Sequence, residues 1–138
     1  MQAAELPEDV QKLLRDYIES YEQLELLLLL RGERAACWTE EALSARLGIR
    51  GSLLLDAMAR LRSAGFLTSV PQNNGNGCTY RVQSEEAEAT IERLARAYKD
   101  QPMPVIKLMS ANAIERVRTA ALRTFADAFL IRKDKKDG

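Results

Sequence analysis

The chain has 138 residues, of which 46% are hydrophobic and 29% are charged, with 20 basic and 20 acidic side chains. This length predicts one domain of ordinary size, whose core is large enough to fold without metal ions or disulfide bonds. Histidine is absent and there are only two cysteines, which excludes the usual general base, the usual metal ligand and a disulfide framework.

Motifs for catalysis and for membrane insertion are also missing from the sequence. No serine lies in a nucleophile-elbow context and no glycine-rich phosphate loop is present. We therefore expect that the protein is not an enzyme and has no catalytic residue, metal site or cofactor. The longest apolar run, Leu26 to Leu30, is too short to cross a membrane. Because the start also lacks a signal-like segment, we expect a cytoplasmic protein without a membrane partner.

Two helices are predicted in the first third of the chain. Pro7, followed by Glu8 and Asp9, is typical of a helix start, and the first helix falls within residues 1–19. Ser20 and Gln23 fit a capping box, which predicts a second helix over residues 21–31 that ends at Gly32.

A compact pair of helices follows. Thr39 is a typical N-cap for a helix over residues 40–47, and Gly48 ends it. Ser52 is predicted to cap the next helix, which ends at Gly65. The apolar spacing predicts these buried positions on the two helices: Ala42, Leu43, Leu47, Leu54, Met58 and Leu61.

The remaining elements are a hairpin and two more helices. Residues 66–70 and 78–82 read as strands around the turn sequence PQNNGNG, in which Asn73, Asn74 and Asn76 suit a tight turn. Ser84 caps a helix that runs to about residue 98. Pro102 and Pro104 are predicted to break the chain before a last helix over residues 105–133, with a potential interruption at residues 110–112.

The segment WTEEALSARLGIRGSLLLDAMARLRSAGFL, residues 38–67, resembles the helix-turn-helix of bacterial winged-helix regulators of the MarR type. The resemblance covers less than half of the chain. It implies a mainly α fold with a small β-hairpin: a winged helix-turn-helix domain over residues 20–83. The additional segments are the N-terminal helix, residues 1–19, and the C-terminal helices, residues 84–138, which serve as a dimerisation arm and a basic tail.

By the same pattern, the helix that follows Gly51 presents its outward face to a partner. Duplex DNA is the first expectation, with transcriptional regulation as the function. The candidate DNA-binding residues are Arg46, Arg50, Ser52, Arg60 and Arg81. The alternative is a module that does not bind DNA. In it, an unidentified protein partner meets Leu53, Leu55 and Asp56, since two exposed leucines beside an acid suit a protein contact.

The C-terminal helix carries the clearest signal for self-association. Residues 102–138 hold eight basic and four acidic side chains, and one apolar stripe recurs at helical spacing. The predicted dimerisation residues are Ile114, Val117, Ala121, Phe125 and Phe129. The resemblance implies a homodimer through this helix; a closed bundle within one chain is the alternative.

The two cysteines carry a separate hypothesis. In a winged helix the short strand with Trp38 lies beside the returning wing strand, which brings Cys37 and Cys78 near each other. They are therefore either small hydrophobic side chains or a pair able to form a redox-sensitive disulfide.

Overall fold

The computed structural model describes residues 6–72 and 75–137, and side chains within these ranges except those of residues 72, 75, 76 and 131–137. Within these ranges the chain forms six helices and one three-stranded sheet. In chain order they are α1 (Glu8–Asp16), α2 (Tyr21–Gly32), β1 (Trp38–Thr39), α3 (Glu40–Leu47), α4 (Ser52–Ala64), β2 (Leu67–Gln72), β3 (Gly75–Tyr80), α5 (Glu85–Asp100) and α6 (Pro102–Asp137). The predicted winged helix-turn-helix with additional terminal helices is confirmed.

The helix starts follow the sequence signals closely. The Ser20 hydroxyl accepts from the Gln23 N–H at 3.2 Å, and the Gln23 side chain accepts from the Ser20 N–H, which completes the capping box. The Thr39 and Ser84 hydroxyls cap α3 and α5 by accepting from the N–H groups of Ala42 and Ala87. The expected cap at Ser52 is wrong, because α4 begins at Ser52 itself and Gly51 precedes it without a side-chain cap.

The core is centred on α2, which lies between the sheet, α4 and the terminal helices. Leu24, Leu26, Leu27 and Leu30 are fully buried there. On α4 the predicted residues Leu54, Met58 and Leu61 are buried, and on α3 Leu43 is buried. The expectation for Ala42 is wrong: it is exposed, because the short α3 has only a narrow buried face.

The sheet is antiparallel in the order β1-β3-β2, with Trp38 opposite Cys78 and Leu67 opposite Tyr80. Both hairpin strands are shifted towards the turn relative to the predicted ranges, since Gln72 pairs with Gly75. Pro71 fits within β2 because β2 is an edge strand. Asn73 and Asn74 lie outside the described residues, so their predicted turn role stays a prediction.

The terminal helices pack on each other. The Asp9 carboxylate of α1 accepts from Thr90 at 3.0 Å and from the Arg93 guanidinium, both on α5. The hydrogen bond from Arg93 lowers the pKa of Asp9, and partial burial opposes this effect. Val105 and Met109 bury the first part of α6 against the same core.

α6 is one continuous helix of 36 residues, about 54 Å long at about 1.5 Å per residue. The expected interruption at residues 110–112 and the expected start at residue 105 are both wrong. Pro102 and Pro104 fit into the first turn, where the helix needs no N–H donor. No proline or glycine lies in the rest of the helix to break it.

Candidate functional site

The outward face of α4 is the most distinctive surface of the helix-turn-helix. Six of its positions are exposed, as the sequence pattern predicts: Ser52, Leu53, Leu55, Asp56, Ala59 and Arg60. Leu53 and Leu55 are 58% and 49% exposed, which is high for leucine beside a core of fully buried leucines. The described part of the chain therefore leaves this face uncovered.

The start of α4 faces the turn that joins it to α3. Gly48 and Gly51 have φ values of 70° and 61°, and both adopt a conformation that favours glycine. Arg50 in this turn and Ser52 at the start of α4 are both exposed. Arg46, in the last turn of α3, is exposed too, and its guanidinium lies 3.6 Å from the Glu33 carboxylate. Two predicted cationic side chains, Arg46 and Arg50, are thus exposed at the end of α3 and in the turn that precedes α4.

Arg60 lies at the other end of the outward face and is engaged in ion pairs. Its guanidinium donates to the Asp56 carboxylate at 2.9 Å and to the Glu19 carboxylate at 2.7 Å. Glu19 belongs to the short linker between α1 and α2. The second oxygen of Glu19 lies 3.5 Å from the guanidinium of Arg116 on α6. Arg60 lies on the outward face, as the sequence pattern predicts, but there it is paired with two carboxylates.

Arg81 does not lie on the wing itself. β3 ends at Tyr80, and the Arg81 N–H donates to the carbonyl of Phe66 at 3.2 Å, at the start of the hairpin. Arg81 is therefore six residues from Gly75, about 20 Å from the tip at about 3.3 Å per residue. The predicted position on the wing is wrong, because the hairpin pairs further towards its turn than the alternating pattern indicated.

Arg81 instead borders a cavity of about 590 Å³ at the base of the wing. The Glu88 carboxylate of α5 lies in this region and accepts from the Tyr80 hydroxyl and from Arg34, the latter at 2.8 Å. The Arg34 guanidinium also stacks over the Tyr80 ring at 5.3 Å. Although burial disfavours the ionised carboxylate, these hydrogen bonds lower the pKa of Glu88 below its usual 4.5. The cluster joins the wing, the end of α2 and α5.

Burial and the hydrogen bond to Glu88 together raise the pKa of the Tyr80 hydroxyl far above its usual value. Tyr80 thus stays protonated and donates, while Glu88 stays ionised and accepts. The hydrogen bond between Tyr80 and Glu88 is therefore a structural contact that persists at neutral pH.

One cysteine lies in β3 and the other directly precedes β1, which pairs with β3. Cys78 is buried on β3, opposite Trp38, and Cys37 is exposed immediately before β1. Burial raises the pKa of the Cys78 thiol to about 11, and the nearby Cys37 thiol contributes to the increase. The thiol therefore has little thiolate character at neutral pH, which disfavours disulfide exchange at this residue. Cys78 is thus buried like a small hydrophobic side chain, and a disulfide between Cys78 and Cys37 stays a hypothesis.

The second half of α6 projects from the body of the protein. Every described side chain from Val117 to Leu130 is exposed. The predicted dimerisation residues are all among the exposed positions of α6: Ile114, Val117, Ala121, Phe125 and Phe129. Val117 and Phe125 are each 71% exposed. The alternative of a closed bundle within one chain is therefore wrong for this stripe.

Sequence reasoning missed several residues that matter at these sites. Arg62 is exposed in the last turn of α4 and adds a cation near the predicted face. Its position two helical turns after Leu55, on the same face, could have indicated it. Glu19 and Glu88 gave no comparable signal, because their arginine partners are 41 and 54 residues away in the chain.

The described residues contain neither a metal-binding cluster nor a membrane-spanning helix. Within them, no three histidine, cysteine, aspartate or glutamate side chains are grouped as a metal site would require. None of the helices there has an apolar stretch of the length that membrane crossing needs.

No protein-family model and no curated protein sequence matches this chain. Solved structures do share its fold. The transcriptional regulator Tm0710 from Thermotoga maritima has a TM-score of 0.50 at 18% identity, over 86% of this chain and 87% of that one. The adhesin competence repressor AdcR from Streptococcus pyogenes has 0.50 at 17%, over 83% and 82%. A variant of MepR from S. aureus has 0.51 at 12%, over 88% and 87%.

At these identities the similarity establishes the winged-helix fold over most of the chain, as the sequence resemblance predicted. Proteins that share this fold differ in function through the residues of their sites.

Proposed function

We propose that this protein is a dimeric winged-helix regulator of transcription that binds duplex DNA through α4. The observation that carries the proposal is the uncovered outward face of α4, which lies beside a wing and starts next to two arginines. A helix of this kind enters the major groove, and flanking arginines contact phosphate. The structural neighbours described as a transcriptional regulator and a repressor support the same function.

The contacts divide along the face. Arg50 and Arg46 suit phosphate contact next to the turn, and Ser52 suits a hydrogen bond at the start of α4. Arg60 reaches phosphate only when it exchanges its acidic partners, and Arg81 contributes from the base of the wing. Leu53 and Leu55 suit contact with thymine methyl groups.

Dimerisation is the second part of the proposal. The stripe on α6 is apolar, exposed and continuous over four helical turns, so it favours a partner that buries it. A second copy of the same helix offers a matching apolar stripe, and a two-fold axis would then fix the spacing of two α4 helices. In this arrangement the protein needs neither a cofactor nor catalysis.

The test is fluorescence anisotropy of a labelled mixed-sequence duplex at about 50 and 200 mM salt. If several phosphates are neutralised, the affinity should fall on the order of a hundredfold or more between these conditions. Arg50→Glu should weaken binding about tenfold at the lower salt and make the salt dependence shallower. Arg96→Glu is the matched control, since Arg96 is an exposed arginine of α5, outside the helix-turn-helix and the wing.

Absence of binding at the lower salt would contradict the proposal. The helix-turn-helix would then act as a scaffold, and a protein partner at Leu53, Leu55 and Asp56 would become the leading hypothesis. Leu53→Asp would test that alternative, because the exposed position tolerates the change while the contact surface does not.

A further inference from the structure

One carboxylate joins the candidate reading helix to the C-terminal helix. Glu19 has one oxygen 2.7 Å from Arg60 of α4 and the other 3.5 Å from Arg116 of α6. Arg116 also donates to the carbonyls of Leu14 and Arg15, at 3.4 and 3.0 Å, near the end of α1. Glu19 is thus shared between two arginines from separate helices.

Arg60 has acids on two sides, because Asp56 pairs with it at 2.9 Å within α4. Its positive charge is therefore largely compensated in the free protein. The ion pair remains open to exchange, since 49% of the Arg60 side chain and 38% of the Glu19 side chain are exposed. Exposed pairs of this kind are weak, so a phosphate can compete for the guanidinium.

We propose that Glu19 is an autoinhibitory latch that holds Arg60 away from phosphate and couples its release to α6 through Arg116. The inference rests on the proposed DNA-binding function. When Arg116 approaches Glu19, it takes a larger share of the carboxylate and Arg60 is released. When Arg116 withdraws, Glu19 pairs fully with Arg60 and the latch tightens. The position of α6 therefore sets how much positive charge α4 presents.

This role differs from a simple structural ion pair in the sign of its effect. Loss of a purely structural pair of this weak, exposed kind would leave DNA binding unchanged or slightly weaker. Loss of a latch removes a negative charge from the face and frees a cation, so binding becomes tighter. It also adds about one phosphate contact, which steepens the logarithmic salt dependence by about 0.9.

The experiment measures the affinity of the full chain for the same mixed-sequence duplex across a salt series. Glu19→Gln should bind about three- to tenfold more tightly at about 50 mM salt, with the steeper slope. Arg60→Gln alone should weaken binding, since it removes a phosphate contact and leaves the Glu19 and Asp56 carboxylates uncompensated on the face. The double variant should lose the gain. Glu22→Gln is the matched control: it makes the same charge change in the first turn of α2, and Glu22 has no ion pair to the residues described.

The link to α6 is tested with Arg116→Gln, which should weaken binding about two- to threefold in the wild-type background and leave Glu19→Gln unaffected. Circular dichroism and thermal unfolding verify that each variant is folded. If the wild type binds and Glu19→Gln gives no gain, or no more than Glu22→Gln gives, the latch is wrong and the proposed function stands. If Arg116→Gln tightens binding, the coupling to α6 is wrong. If no variant binds at low salt, the proposed function fails and the latch fails with it.

Discussion

Replacing Phe125 with alanine is expected to weaken the proposed dimer without unfolding the monomer. Phe125 is 71% exposed on the stripe of α6. A buried aromatic side chain removes about 150–250 Å² from water, so the exposed part corresponds to about 140 Å² in each copy. At about 25 cal/mol per Å² this burial stabilises by about 3.5 kcal/mol per copy.

Symmetry places the substitution in both copies. If the partner covers only half of the exposed ring, the dimer still loses about 3.5 kcal/mol in total. This loss raises the dissociation constant by a factor on the order of 10² to 10³. The folded monomer should lose less than about 0.5 kcal/mol, since surface substitutions away from special features have small effects.

Sedimentation velocity over a dilution series measures the dissociation constant, and urea unfolding measures the stability of the monomer. Ala121→Asp and Ala120→Asp form a matched pair, since both alanines are exposed and adjacent but only Ala121 lies on the stripe. Ala121→Asp should give monomers, and Ala120→Asp should resemble the wild type. A wild type that is monomeric at every concentration, or two aspartate variants that behave alike, would refute the reasoning.

Two further predictions concern the stability of the fold. Glu88→Gln should lower the free energy of unfolding at pH 7 by about 1–2 kcal/mol, because the ionised carboxylate joins Tyr80 and Arg34. The folded protein lowers the pKa of Glu88 below 4.5, so this stability is present above about pH 4.5 and is lost as the pH falls further. In urea titrations the free energy of unfolding should therefore fall less steeply with acid in the variant than in the wild type. An equal fall in both proteins would contradict this role of Glu88. Leu54→Ala should lower the free energy of unfolding by about 2–5 kcal/mol, whereas Leu55→Ala should lower it by less than about 0.5 kcal/mol. The reason is burial, since Leu54 is 1% exposed and Leu55 is 49% exposed. Equal losses in urea unfolding would mean that the two faces of α4 are assigned wrongly.

Helix positions and the class of fold followed from local sequence signals. Caps at Ser20, Thr39 and Ser84 act over three residues, so they can be read without tertiary information. The same holds for glycines 48 and 65, which end α3 and α4 in the left-handed conformation. The apolar period of α4 was sufficient to separate its buried from its exposed positions.

Local signals also misled where two states were locally acceptable. A proline can end one helix or begin the next, and Pro102 begins α6 because the first turn tolerates it. Hairpin strands can slide by several residues while their alternation persists, and the pairing of Gln72 with Gly75 decided the register. That register moved Arg81 from the wing to its base.

The electrostatic character of the candidate site was decided only by the tertiary structure. The sequence places Arg60 on the outward face of α4. Only the folded structure shows that Glu19, which is 41 residues away in the chain, lies beside it. The same applies to Glu88 beneath the wing and to Arg116 at Glu19. Helical and strand periods report which side of an element is apolar, because burial repeats along one element. Ion pairs between elements have no period, since they depend on how the helices cross, and so they appear only when the elements are packed together.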